Sequence, residues 1–135
     1  MAKIEGSRAF GITADALWAV VADPAQLADW VPTMRLAQPS GKEEVHVEGE
    51  SHGHRYSLDS LLRIDKSDRR LYWGAEGDDG YRGSLEVAER PSGSEVHLHL
   101  AVPDDRLGPS PDDAVAEIRR GIEEAFDRLA GLVAT

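Results

Sequence analysis

Apolar residues alternate with polar ones at the start of the chain and then recur at helical spacing. Over residues 3–12 the large apolar positions share one parity, as they do in a strand with one buried face. Thr13 then supplies an N-cap oxygen, and the following apolar residues recur every three or four positions, which predicts a short helix. A second short helix is predicted to begin after Asp23 and Pro24 and to end at Pro32.

The region from position 33 to position 102 has an apolar period of two, interrupted by turn sequences. Gly, Pro, Asp and Ser concentrate in five segments, each of which predicts a turn. These segments are residues 39–42, 51–53, 65–68, 77–80 and 91–94. The stretches between them predict six strands, and connections this short favour an antiparallel meander.

A long amphipathic helix is predicted at the end of the chain. Residues 104–109 indicate a loop, and Ser110 with Pro111 forms a helix start. From Val115 to Val133 the apolar residues recur on one stripe, while acidic and basic residues fill the other side. We expect those charged residues to be solvated and weakly paired with one another.

The predicted order of elements indicates an α+β fold in which a broad sheet packs against a single long helix. A helix of about 24 residues is roughly 36 Å long and 10 to 12 Å wide, whereas seven strands span roughly 33 Å. Because one helix cannot cover such a sheet when it is flat, we expect a curved seven-stranded antiparallel sheet wrapped around the C-terminal helix, with the two short helices closing one end. Space beside the helix predicts an internal apolar pocket.

Composition and charge narrow the class of protein. The chain has 135 residues, a length that fits a single domain over residues 1–135, and it contains no Cys, which excludes disulfides. The 15 Lys and Arg against 25 Asp and Glu give a net charge of -10, which disfavours nucleic acid as a partner. No apolar segment approaches the length of about 20 residues that a membrane-spanning helix requires. We expect a cytoplasmic monomer or weak homodimer without stable membrane insertion.

The opening of the chain also resembles a known superfamily. The segment ADALWAVVADP at residues 14–24, followed by LADWVP at residues 27–32, is similar to the opening of the polyketide cyclase/dehydrase and START-type lipid-binding proteins, also called SRPBCC. The order of elements is similar over nearly the whole chain. This resemblance implies a helix-grip fold and a pocket for a hydrophobic small molecule such as a lipid, sterol or polyketide. We predict no cofactor.

The resemblance leaves the activity open, since members of the superfamily range from carriers to enzymes. The leading hypothesis is binding or carriage of a hydrophobic small molecule. The alternatives are a polyketide cyclase/dehydratase-like enzyme and a regulatory protein, for example one associated with a toxin–antitoxin pair. The superfamily has no universal catalytic motif, so no catalytic residue is carried over.

Aromatic residues are the first candidates for the pocket lining. Trp30, Tyr56, Trp73 and Tyr81 each couple a large apolar body to one polar atom and could orient a ligand, although they could equally fill the core. The inner strand faces and the helix stripe supply the rest of the predicted lining, which is Leu85, Leu98, Ile118, Ile122 and Phe126.

Arg8 is the polar candidate for this pocket. It shares parity with Ile4 and Phe10 and could therefore point inward, where a guanidinium needs a partner. That partner could be a ligand carboxylate, which would make the ligand an amphipathic acid. Alternatively, a bulge near Gly6 or Gly11 could return Arg8 to solvent.

The histidines and carboxylates are weaker candidates for a metal site or for catalysis. His97 and His99 alternate with apolar residues that take the inner side of their strand, so we expect both to face outward without a third metal ligand or a supporting shell. We therefore predict no metal site. No nucleophile with an adjacent base can be assembled from the sequence, and an enzyme of this type would depend on Arg8, Tyr56 and Tyr81.

Overall fold

The elements follow the predicted order. The computed structural model describes residues 2–51, 54–74 and 81–133. Its helices and strands, in chain order, are β1 (Ala2–Phe10), α1 (Ala14–Val21), α2 (Leu27–Trp30), β2 (Met34–Gly41), β3 (Glu44–Ser51), β4 (His54–Asp65), β5 (Arg70–Gly74), β6 (Arg82–Arg90), β7 (Gly93–Val102) and α3 (Pro111–Val133). Short 3-10 turns at Pro24–Gln26 and Asp104–Arg106 precede α2 and α3.

The strands form one antiparallel sheet in the order β1-β7-β6-β5-β4-β3-β2. β1, the first strand, pairs with β7, the last. All other neighbouring strands in the sheet are also consecutive along the chain. This confirms the predicted α+β class, with a curved seven-stranded antiparallel sheet around a long C-terminal helix and two short helices after the first strand.

Predicted caps account for the short helical elements. Thr13 Oγ1 accepts a hydrogen bond from the Ala16 backbone N–H at 3.2 Å, and Asp23 Oδ1 accepts one from Ala25 N–H at 3.0 Å. Each satisfies a donor that a helix start leaves without a partner. Both caps were predicted from the sequence and are confirmed.

Two of the predicted turns differ from the observed hairpins by a few residues. β2 continues through Pro39 to Gly41, because β2 is an edge strand and the missing N–H of Pro39 costs no hydrogen bond on its free side. The turn at 65–68 is shifted to 66–69, where Arg69 adopts a positive φ of 52°. The predicted turns at 51–53 and 77–80 lie at least partly outside the described residues.

The strand register defines two ends of the sheet. At what we call the α1 end, Phe10 of β1 faces Ser94 of β7, and Ser94 Oγ donates to the Ile12 carbonyl at 2.8 Å. At the opposite, distal end, Ala2 faces Val102, after which the chain turns into the start of α3. α1 packs on β6 and β7, and α2 packs on β2 and α3.

α3 approaches the sheet most closely along β1. A Cβ added at Gly6 would lie 2.9 Å from Ile122 Cγ2 and 3.5 Å from Phe126 Cε2. The absence of a side chain at position 6 therefore lets the helix and the strand pack at this distance. Among the described residues, no helix combines the length and the apolar character that crossing a bilayer requires.

Candidate ligand-binding site

The apolar stripe of α3 is buried unevenly along its length. Phe126 and Leu129, in the second half, are 1% and 0% exposed, and Ile122 is 7% exposed. Val115 and Ile118, in the first half, pack against the same core but are only half-buried. The helix therefore seals the sheet toward the α1 end and leaves apolar side chains accessible toward the distal end.

Trp73 lies on the inner face of the sheet at the distal end. It is directly opposite Gly83 of β6, and a Cβ at Gly83 would stand 2.4 Å from both Cε2 and Cζ2 of the indole. The ring thus occupies the place where a side chain at position 83 would be, and only glycine permits this arrangement. Trp73 itself is half-buried, so part of this ring remains accessible.

Tyr81 and Leu100 extend this apolar surface on both sides of Gly83. Trp73 Nε1 donates to the Tyr81 hydroxyl at 3.5 Å, a long hydrogen bond, and Leu100 of β7 pairs with Gly83 across the strands. Both side chains are half-buried. Trp73, Tyr81 and Leu100 together form what we call the sheet wall of the distal end.

The indole nitrogen of Trp30 is a buried polar atom without a hydrogen-bond partner among the described residues. Trp30 is the last residue of α2, which packs on both β2 and α3, and only 6% of its surface is exposed. Buried N–H groups almost always have a partner, because an unpaired one has lost its hydrogen bond to water without a replacement.

The other predicted lining residues lie deeper in the molecule. Leu85 and Leu98 pair across β6 and β7 on the inner face and are 1% and 8% exposed. Ile122 and Phe126 contact β1 at Gly6, as described above. The side chain of Tyr56 lies outside the described residues.

Arg8 points inward and is held by α3. The β1–β7 register is continuous from Ala2 to Phe10, so no bulge interrupts β1 at Gly6, and the Arg8 side chain is 27% exposed at the flank of α3. Arg8 Nη1 donates to Asp127 Oδ1 at 2.6 Å and Nη2 donates to Glu123 Oε2 at 2.7 Å. Its Cζ also lies 5.5 Å from the centre of the Phe126 ring, a cation–π contact.

These contacts change the electrostatic role predicted for Arg8. The hydrogen bond to Asp127, and then the one to Glu123, raise the pKa of Arg8 above that of a free guanidinium. Sequence reasoning missed both carboxylates because it treated the charges of the helix as solvated. Their i,i+4 spacing beside the apolar stripe was the available signal, although it identifies no partner until the helix is docked on β1.

The outer face of the sheet is polar and carries His46, His97 and His99. His99 Nδ1 lies 3.2 Å from Glu5 Oε1, and His97 Nε2 lies 2.7 Å from Glu95 Oε1. A concavity of about 340 Å³ lies on this face, away from α3, and is lined by Arg70, Tyr72, Ser84, Leu85, Glu86, His97 and His99. No group of three or more potential metal ligands occurs among residues 2–51, 54–74 and 81–133.

Comparison with known proteins agrees with this architecture. Residues 1–134 match the sequence profile of the family described as polyketide cyclase / dehydrase and lipid transport. The chain belongs to this family. The resemblance seen in residues 14–32 is thereby confirmed, whereas the activity of this member is not specified by the family, which combines enzymes and lipid transport proteins in its description. No curated protein sequence matches the chain significantly.

Solved structures similar to this member of the family share its fold. The Zhui aromatase/cyclase from Streptomyces sp. R1128 is 18% identical with a TM-score of 0.75, and the alignment covers 98% of this chain and 93% of that one. A START superfamily protein from Mycobacterium smegmatis is 14% identical with a TM-score of 0.75, covering 98% and 97%. The protein TTHA0849 from Thermus thermophilus is 15% identical with a TM-score of 0.79, covering 98% and 97%.

Proposed function

We propose that this protein binds a hydrophobic small molecule, lipid, sterol or polyketide-like, between the inner face of the sheet and the first half of α3. The observation that carries this proposal is the burial gradient along the helix, from fully buried Leu129 to half-buried Val115 and Ile118. Accessible apolar side chains inside a helix–sheet layer are the usual composition of a small-molecule site. Membership of a family that includes lipid transport proteins supports the same conclusion.

The sheet wall gives the site an ordered apolar surface. The Trp73 ring occupies the space above Gly83, which limits its rotation and reduces the entropy lost when a ligand packs on it. Burying about 300 Å² of apolar ligand surface contributes roughly 7 kcal/mol before ordering costs. That is sufficient for binding without a charged anchor.

The experiment is a fluorescence titration with N-phenyl-1-naphthylamine, an uncharged dye that brightens in apolar sites. We expect saturable 1:1 binding to the wild-type protein. Ile118→Lys places a charge in the proposed site and is expected to weaken binding at least about tenfold, because burying an unpaired charge is costly. Leu132→Lys is the matched control, since Leu132 lies on the same helix and is 37% exposed.

Two results would contradict the proposal. One is the absence of saturable dye binding to the folded wild-type protein. The other is equal binding by the Ile118→Lys and Leu132→Lys variants when circular dichroism shows both to be folded. Native mass spectrometry of freshly purified protein provides an independent test, in which a co-purifying apolar molecule of defined mass is expected.

A further inference from the structure

The outer face of the sheet carries three polar side chains in a row across three neighbouring strands. Ser84 of β6 is directly opposite His99 of β7, and His99 is directly opposite Glu5 of β1. Side chains at directly opposed positions share a face of the sheet, and their Cβ atoms lie about 4.5 to 5.5 Å apart. A hydroxyl, an imidazole and a carboxylate therefore stand in the order that a serine nucleophile, its general base and an orienting group require.

Glu5 sets the proton position on His99. Glu5 Oε1 lies 3.2 Å from His99 Nδ1. Because a carboxylate can only accept a hydrogen bond, the proton of the neutral imidazole is on Nδ1, and Nε2 presents its lone pair. Among the residues that the structure describes, none forms a hydrogen bond with this second nitrogen. His99 can therefore accept a proton at Nε2.

Ser84 is the hydroxyl residue that faces this base across the strands. It is half-buried, and its Oγ forms no hydrogen bond with any described residue, so no such bond opposes rotation of the hydroxyl. Ser84 and His99 are not hydrogen-bonded to each other in the unliganded protein. Contacts between a catalytic base and its partner are often long in this state and shorten when the substrate binds.

The row opens onto the concavity of about 340 Å³ on the outer face. Ser84 is a small residue between two larger ones, Tyr72 of β5 and His99 of β7, and all three line this concavity. An ester held between the two rings would present its carbonyl carbon to Ser84 Oγ, and the hydroxyl of Tyr72 is the donor available for the oxyanion. The His99 side chain is 54% exposed, so a substrate can enter directly from solvent.

A second histidine on the outer face lacks these properties. His46 Nδ1 lies 2.9 Å from Asp59 Oδ1, and its Nε2 lies 3.4 Å from Ser57 Oγ. The same Nε2 lies only 3.0 Å from Glu48 Oε2, so this nitrogen donates to a carboxylate and is not available as a base. None of these four residues is among those that line the concavity. Ser57 and His46 are therefore matched controls for the Ser84 row.

We propose that Ser84, His99 and Glu5 form an acyl-transfer site on the outer face that hydrolyses small carboxylic esters. Ser84 Oγ attacks the ester carbonyl carbon while its proton passes to His99 Nε2. The bond to the leaving alcohol then breaks, His99 returns the proton to that alcohol, and an acyl-serine remains. Water attacks the acyl-serine, its proton passes through His99 to Ser84 Oγ, and the carboxylic acid is released. Glu5 is a positioning residue that holds the imidazole.

The experiment is the hydrolysis of p-nitrophenyl acetate, followed over many turnovers as release of p-nitrophenolate. Ser84→Ala and His99→Gln should each lower kcat/KM by about a hundredfold, the lower end of the range for a general base, because the site is open to water. Ser57→Ala and His46→Gln should leave kcat/KM unchanged. All four positions lie on the outer face, and circular dichroism checks that each variant is folded.

Two further measurements assign the separate roles. Glu5→Gln should lower kcat and leave KM unchanged, because Glu5 orients His99 without contacting the ester. Phenylmethylsulfonyl fluoride, which reacts with activated serine hydroxyls, should modify Ser84 and not Ser57. Peptide mapping by mass spectrometry locates the modified residue.

Three results would overturn this inference. One is hydrolysis by Ser84→Ala at the wild-type rate, which would mean that a histidine or lysine attacks the ester directly. Another is modification of Ser57 in place of Ser84. The third is a folded wild-type protein that shows neither turnover nor modification. Dye binding between the sheet and α3 is measured independently, so each of these results leaves the proposed function intact.

Discussion

Arg8 of β1 donates a hydrogen bond to Asp127 of α3, joining residues 119 positions apart in the sequence. The same guanidinium reaches Glu123 one helical turn earlier and lies over Phe126. These contacts fix the second half of α3 to the edge strand. They are made along the half of α3 whose apolar stripe is fully buried, and none of them involves the first half, where Val115 and Ile118 are half-buried.

The first prediction concerns this contact. Arg8→Met keeps much of the apolar stem and removes both ion pairs, and we expect it to lower the free energy of unfolding by about 1 kcal/mol. Part of this loss should disappear in high salt, because salt screens exposed charge pairs. The measurement is urea denaturation at low and high ionic strength.

The control for Arg8 is Arg128→Met. Arg128 pairs with Glu124 at i,i+4 on the exposed side of the same helix at 3.1 Å, and such pairs contribute only about 0.3 to 0.5 kcal/mol. Equal losses for the two variants would mean that the Arg8 contacts do not fix α3 to β1.

The second prediction concerns Gly83. Gly83→Ala must displace the Trp73 ring, and we expect a loss of about 1 to 3 kcal/mol in unfolding free energy together with weaker dye binding. Gly121→Ala is the control, because a Cβ at that α3 position meets nothing within 4 Å. Replacing a helical glycine by alanine should stabilise the protein by up to about 1 kcal/mol. Unaltered stability and dye binding in Gly83→Ala would show that the ring position is not required.

The third prediction concerns a histidine on the outer face. His46 Nδ1 lies 2.9 Å from Asp59 Oδ1, and Nε2 lies 3.0 Å from Glu48 Oε2. The hydrogen bond to Asp59, followed by that to Glu48, raises the pKa of His46 above the ordinary value of about 6.5. Since the raised pKa belongs to the folded state, this stabilisation is complete below the unfolded pKa and is lost as pH rises through the folded one.

An NMR titration of the imidazole resonances tests this prediction. The midpoint for His46 should lie above that of the unfolded chain and should fall in Asp59→Asn. Asp112→Asn, which removes an exposed carboxylate in the first turn of α3, should leave the midpoint unchanged. A His46 midpoint that does not respond to Asp59→Asn would refute the assignment.

The fourth prediction concerns the β2–β3 hairpin. Glu43 has a φ of 60°, in the left-handed region that favours glycine. Glu43→Gly should therefore increase stability by up to about 1 kcal/mol despite the loss of a 3.5 Å contact with Arg63. Glu44→Gly, at the first residue of β3, should instead destabilise the protein, because glycine weakens a strand. Thermal unfolding of the two variants measures the difference, and a shift of the same sign in both would be inconsistent with strain at Glu43.

The alternation of apolar residues and the placement of turn residues determined the fold. Each strand of the meander pairs with a neighbour in sequence, apart from β1 with β7, and local signals such as Thr13 and Asp23 define the helix starts. Such features depend on spacing within about ten residues, which a sequence displays directly. The inner parity of Trp73, Leu85 and Leu98 followed from the same period.

Only the tertiary structure decided the contacts that depend on docking α3 against the sheet. The sequence placed Arg8 on the inner parity but left its partner open, since nothing local indicates which turn of a helix more than a hundred residues away will lie opposite. The position of the Trp73 ring over Gly83, and the burial of the Trp30 N–H with no partner among the described residues, likewise arise from packing between separate elements. Parity fixes the face to which a side chain belongs, whereas its partner is set by the relative position of two elements, and that position is a property of the whole packed core.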